Sequence, residues 1–125
     1  MRKIKIAVAL SLIFIIGISF AALAAIEASE VISSAKVTLS SSTKKATFDL
    51  KTKVDCQSIS VTSYTLYKSN GSVVTSGSIG SGSGKRYYKT VDFSSHITSG
   101  NSYYVTAVFN ADGETKTVTS VTVSF

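Results

Sequence analysis

The chain has 125 residues, 44% of them apolar and 16% charged, with no Pro, no Trp, one Cys, one His and a formal net charge of +6. That length fits one compact domain. A single Cys excludes a disulfide framework or a thiolate metal cluster, since each needs at least two sulfurs, and a single His removes the ligands of most hydrolytic metal sites.

The N-terminal segment reads as a targeting signal. Arg2, Lys3 and Lys5 form a basic start without an acid, and Ile6 to Ala25 then runs twenty residues without a charge. Ala22 and Ala24, spaced as A-x-A, suit a signal peptidase and place the cut before Ala25. Residues 1–24 are therefore expected to be a signal peptide and 25–34 a short flexible tether. An uncleaved anchor is the competing reading, because about 20 apolar residues can span a bilayer. No Cys stands directly after the run, which excludes lipoprotein anchoring. Cleavage implies a secreted or cell-surface protein with no membrane contact of its own.

Loss of the leader removes three cations and leaves ten Lys and Arg against seven acids, a balance of +3 rather than +6. Lys51 and Lys53 lie between Asp49 and Asp55, so the sequence does not gather its lysines into the one-sided cluster that phosphate tracking requires. Nucleic acid is not an expected partner. A mild attraction to anionic envelope surfaces is what this balance supports.

From Ala25 onward, 21 Ser and 14 Thr make up 35 of 101 residues, beside many Val, Tyr and Phe. These residues suit pleated strands and tight turns, whereas Leu, Glu and Gln are scarce. Ala35, Val37 and Leu39 alternate with Lys36 and Thr38, and a turn follows over 40–45. Ala46, Phe48, Leu50, Thr52, Val54 and Cys56 then alternate with Thr47, Asp49, Lys51, Lys53 and Asp55, a period of two that no helix explains. Ile59 and Val61 share one parity while Tyr64 and Leu66 share the other, which marks Ser63 as a bulge.

Asn70-Gly71 and Asp112-Gly113 both suit the positive φ angles of hairpin turns. Gly77 to Gly84, reading G-S-I-G-S-G-S-G, is expected to be a flexible connection because it carries so little to pack. Seven strands follow, at 35–41, 45–56, 59–68, 72–79, 86–93, 103–110 and 114–125. An all-β, seven-strand antiparallel two-sheet sandwich over 35–125 is the expected architecture. Its expected core is Phe48, Leu50, Val54, Leu66, Val91, Val105, Ala107 and Phe109.

The segment Ile97-Thr98-Ser99-Gly100-Asn101-Ser102-Tyr103-Tyr104-Val105 resembles the fibronectin type III stretch in which an aliphatic residue and a Gly-containing corner precede Tyr-x-Val. The resemblance implies an immunoglobulin-like sandwich and makes Tyr103 its structural tyrosine corner, with the hydroxyl bonded back to the crossover backbone. It covers 97–109. The core Trp and crossover prolines of that family are missing, and Val105 stands where immunoglobulin domains carry the second inter-sheet Cys. The chain is also similar to small secreted single-domain proteins of Gram-positive bacteria, a likeness that implies a compartment and a fold but no activity.

Motifs for chemistry fail one by one. Before Gly84-Lys85, Ile79 occupies the first Gly position of a phosphate loop, and Arg86 replaces its Ser or Thr. His96 lies in the crossover with no acid or nucleophile at motif spacing, and Ser94 and Ser95 read as ordinary Ser-rich loop. Asn110, Asp112 and Glu114 could present oxygens to Ca²⁺, yet a hairpin tip accounts for them. Asn70-Gly71-Ser72 fits a glycosylation sequon, but the turn explains it as well. Cys56 ends an inward-facing series and reads as a small core residue. No catalytic residue, metal site or cofactor is expected, and the chain reads as no enzyme.

The six tyrosines form three near pairs, Tyr64 with Tyr67, Tyr87 with Tyr88 and Tyr103 with Tyr104, each placing one ring on each strand face. If Tyr103 points inward, Tyr104 points outward, and Tyr67 shares its side. Tyr67 and Tyr104, rimmed by Lys68 and Lys116, form the expected ligand-binding face. Its partner would be an anionic cell-wall polysaccharide or another extracellular protein. A secreted binding or adhesion module is the first functional reading. A self-assembling matrix protein is the alternative, motivated by Val121, Val123 and Phe125 along the last strand.

Overall fold

The computed structural model describes residues 31–125. The expected signal peptide, its cut before Ala25, and the first part of the tether lie outside the described residues. The described chain is all-β, a curled antiparallel sheet without a helix. Its strands are β1 (Ile32–Leu39), β2 (Lys45–Lys68), β3 (Val73–Asp92), β4 (Ser102–Ala111), β5 (Glu114–Thr119) and β6 (Val123–Ser124). β1 opens at Ile32, earlier than the expected 35, because the Ile32 side chain reaches the core.

β2 organises the sheet. One side of it pairs with β3 along nearly its whole length, from Lys45 opposite Asp92 to Tyr67 opposite Val73. Its other side pairs first with β1, Leu50 opposite Ala35, and then with β4, Leu66 opposite Val105. β5 and β6 both join β4. The curl brings Phe48 against Tyr64 at 5.6 Å and Phe109 at 6.5 Å between ring centroids, so the early and late parts of β2 enclose one core. Phe48, Leu50, Leu66, Val105, Ala107 and Phe109 are fully buried, as their alternation predicts. Val91 is partly buried against them.

The strands expected at 45–56 and 59–68 run together as β2, and two further expectations fail at the bend. Gly77 to Gly84 is not a loose connection, and the strands expected on either side of it run together as β3. The missing side chains are what permit this. The Tyr64 ring lies over Gly77, the Tyr87 ring lies beside Gly82, and the Tyr87 hydroxyl donates to the Gly80 carbonyl at 2.7 Å. Gly84 takes φ +106°, a region that L side chains rarely enter.

Val54 is the second failure, being 48% exposed rather than in the core. The register against β3 shifts between Lys51 and Cys56. There the Val54 carbonyl accepts the Thr52 hydroxyl at 2.7 Å and the Cys56 thiol at 3.6 Å. With the carbonyl turned toward those two buried residues, the Val54 side chain faces solvent. A bulge interrupts a period-two pattern in this way.

The bulge expected at Ser63 is present, since register against β4 shifts between Val61 and Ser63. Asp112-Gly113 forms a two-residue turn with both φ angles positive, 48° and 93°. At Asn70-Gly71 only Gly71 is positive. The Gly71 N–H donates to the Lys68 carbonyl at 2.8 Å and the Lys68 N–H to Ser72 at 2.9 Å, which is a three-residue loop. The last expected strand is divided at Ser120. The buried Ser120 hydroxyl accepts from the Val105 N–H at 2.9 Å and so takes a ladder position.

Candidate functional site

Tyr67 and Tyr104 face each other across the β2–β4 ladder. Their rings stack with centroids 5.0 Å apart and planes 17° apart, both half-buried. Directly opposed residues of an antiparallel pair share a face. Tyr67 is also opposite Val73, which is 63% exposed, and the next row runs Ser76, Thr65, Thr106, Thr119 across four strands. The Thr106 and Thr119 hydroxyls are 3.1 Å apart. This face is hydroxyl-rich and aromatic at one end, and those residues carry no charge.

Lys68 and Lys116 do not join it. Lys68 is opposite Tyr103 and Lys116 opposite Phe109, both inward-facing residues, so strand parity sends these cations to the other side. Lys68 is close enough to Tyr103 for its charge to act on the phenol. The pKa of Tyr103 is lowered, chiefly by the Thr98 N–H directed at its oxygen and least by the Lys68 ammonium. One position of offset is the whole error. Lys68 is adjacent to Tyr67 in sequence and therefore opposite to it in direction.

Tyr103 is buried, and its hydroxyl accepts the Thr98 N–H at 3.0 Å across the crossover. Its ring meets Phe125 edge-on at 5.7 Å. Two backbone bonds hold Phe125 there: Gly100 N–H to its carbonyl at 2.7 Å, and its own N–H to Asn101 at 3.0 Å.

The residues considered for metal binding all serve the backbone. Asp112 accepts from the N–H groups of Gln57 and Ser58, Asn110 from that of Gly113, and Glu114 from those of Val31 and Ile32. Among the described residues no three His, Cys, Asp or Glu side chains converge as metal ligands. His96 is exposed, and Cys56 is buried. The Asn70 side chain accepts from the Ser72 N–H at 2.9 Å, closing its own turn.

A second cluster escaped the sequence reading. Arg86 on β3 grips Asp49 on β2 with two bonds, Nε to Oδ1 at 3.2 Å and Nη2 to Oδ2 at 3.1 Å. Its guanidinium carbon lies 5.1 Å from the centroid of the Tyr88 ring. The hydrogen bond to Asp49 raises the pKa of Arg86 further above its ordinary value. Asp49 and Arg86 are 37 positions apart, and only the β2–β3 register brings them together.

No protein-family model, curated protein or solved structure matches the chain.

Proposed function

We propose that this chain is a secreted or cell-surface, non-enzymatic binding or adhesion module whose ligand docks on the Tyr67–Tyr104 face. The observation that carries the reading is the stacked, half-buried ring pair on an uncharged, hydroxyl-rich face. Aromatic rings offer large, rigid contact area at low entropic cost, to a sugar ring or to a protein. The ligand is an envelope polysaccharide or another extracellular protein. The compartment rests on the basic and apolar N-terminal segment, and N-terminal sequencing that begins at Ala25 would support it. Full-length protein held in the membrane fraction would refute it.

The scaffold we read as a seven-strand, two-sheet sandwich of the immunoglobulin and fibronectin type III kind. Its support is the order of hydrogen-bonded neighbours. On one side of the bend these are β1, early β2 and late β3; on the other they are early β3, late β2, β4 and β5. The bond from Thr98 N–H to the buried Tyr103 hydroxyl agrees with a tyrosine corner.

The deciding experiment is retention of the protein on envelope fractions of its own producer. At high salt, where attachment through surface charge is screened, Tyr67→Ala with Tyr104→Ala should abolish retention and leave the melting transition within a few degrees. Unchanged retention would remove the site.

Self-assembly into an extracellular matrix has one observation in its favour. From Val73 to Gly84, β3 pairs only with β2 and carries neither charge nor Pro, the features that blunt a free sheet edge. The terminal residues first suspected serve it less well, because Val123 and Phe125 pack against the core and only Val121 is strongly exposed. Sedimentation that stays monomeric across a hundredfold concentration range would dismiss this reading.

A further inference from the structure

We propose that the outer face of β1, early β2 and late β3 binds a polyanionic polysaccharide. This rests on the reading of the chain as an extracellular binding module, but it assigns the charged part of recognition to the side of the molecule away from the tyrosine stack.

Charge is divided unevenly by the fold. Residues 31–56 and 84–97 hold eight Lys and Arg against three Asp, a net +5. Residues 57–83 and 98–125 hold two Lys against Asp112 and Glu114, a net of zero. The ladder gathers four of these cations, Lys36, Lys45, Lys51 and Arg86, on one face with two of the acids, Asp49 and Asp92, a face balance of +2. Directly opposed residues make the rows Ser34–Lys51–Arg86, Lys36–Asp49–Tyr88, Thr38–Thr47–Thr90 and, at the far end, Lys45–Asp92 on this face. Rows are about 7 Å apart and strands about 4.8 Å apart, so Lys36, Lys51, Arg86 and Tyr88 form a patch about 10 Å across.

The patch is prepared for an anion. Asp49 occupies the Nε and Nη2 edge of Arg86 and fixes the guanidinium beside Tyr88, leaving Nη1 to an incoming group. An Arg held in this way loses little freedom on binding. Tyr88 is 55% exposed and offers an apolar platform for a sugar ring next to the cations. Cations spread over three strands suit a chain of repeated anionic groups better than one small anion. The strongly exposed aliphatic residues, Val54, Val73 and Val121, lie outside these rows, so the patch offers no aliphatic side chain to a bilayer. A single exposed ring is also too few for the stacking that single-stranded nucleic acid requires.

The test uses protein produced from the full-length sequence and purified as it is processed. It measures binding to dextran sulfate, with neutral dextran, anionic phospholipid vesicles and single-stranded DNA as the other arms. Dextran sulfate should bind, more weakly as salt rises, and neutral dextran should not. Lys36→Gln, Lys51→Gln and Arg86→Gln together should weaken binding about tenfold or more and lower the slope of log affinity against log salt by about two to three. The Lys36→Gln, Lys51→Gln pair leaves the Arg86–Asp49 contact intact and should give a smaller loss of the same kind without a change in melting. Tyr67→Ala with Tyr104→Ala should leave this binding unaltered, which separates failure here from failure of the tyrosine face. Wild-type affinity in the charge variants would overturn the proposal. So would an equal loss in Lys68→Gln with Lys116→Gln, or tighter binding to vesicles or DNA than to the polysaccharide.

Discussion

The Tyr64 ring closes over Gly77 so tightly that a Cβ there would stand 2.6 Å from its hydroxyl oxygen and 2.8 Å from its ring carbon. Tyr64 is in turn held by Phe48 at 5.6 Å and Phe93 at 5.8 Å, so the ring has little room to withdraw. Gly77→Ala should therefore cost on the order of 1–3 kcal/mol in urea unfolding, the range for overpacking. Gly80→Ala is the control. A Cβ there meets nothing within 4 Å, and its stability should stay within about 0.5 kcal/mol of wild type.

Tyr103 and Tyr104 are neighbours with opposite duties. Tyr103→Phe removes the acceptor of the Thr98 N–H and should cost about 1 kcal/mol or somewhat more. Tyr104→Phe keeps the ring that stacks on Tyr67 and should cost little. Equal losses in denaturant unfolding at the two positions would show that the crossover bond contributes nothing.

Strand parity, where unbroken, is legible in the sequence. It placed Phe48, Leu50, Val105, Ala107 and Phe109 inside and Tyr67 beside Tyr104. The bend was not legible, because two features of it contradict local rules. Val54 continues an apolar series but sits where a bulge rotates the backbone, and the Ser and Gly run looks unpackable until the rings of Tyr64 and Tyr87 are laid on it. The error over Lys68 and Lys116 had a different source. Lys68 adjoins Tyr67 in sequence and so points away from it, and the side taken by Lys116 follows only from its register against Phe109. The Asp49–Arg86 contact had no sequence signal, since it depends on a register set by a distant turn.

Asp112 combines a φ of 48° with a carboxylate that accepts from Gln57 N–H at 3.0 Å and Ser58 N–H at 2.9 Å. Its two roles can be separated. Asp112→Gly relieves the backbone but loses the acceptor, Asp112→Asn keeps one acceptor oxygen and tolerates the conformation, and Asp112→Ala does neither. Thermal unfolding should rank them Asn, then Gly, then Ala, with Ala costing about 1–3 kcal/mol.

Burial raises the pKa of Tyr87 above the ordinary tyrosine value, with a backbone hydrogen bond at Val61 opposing it. The folded state thus favours the protonated phenol more than the unfolded chain does. This contribution is fully present below the unfolded value of about 10 and is lost as pH rises through the higher folded value. Melting temperature should fall on the alkaline side of pH 10, and less steeply in Tyr87→Phe. An unchanged alkaline limb in that variant would place the titration elsewhere.

The β2–β3 ladder continues through the bend, which bears on how the molecule breathes. Two layers joined by side-chain packing alone can part while each keeps its own backbone bonds. Here one hairpin, paired from Tyr67 and Val73 back to Lys45 and Asp92 with register shifts through the bend, belongs to both sides of the core, so neither can open without fraying the strand that completes the other. The two sides should then behave as a single cooperative unit in hydrogen exchange. The amides of Leu50 and Leu66, at opposite ends of β2, would exchange with the same opening free energy, while β6, held to β4 through Ser124 and Val123, would exchange first.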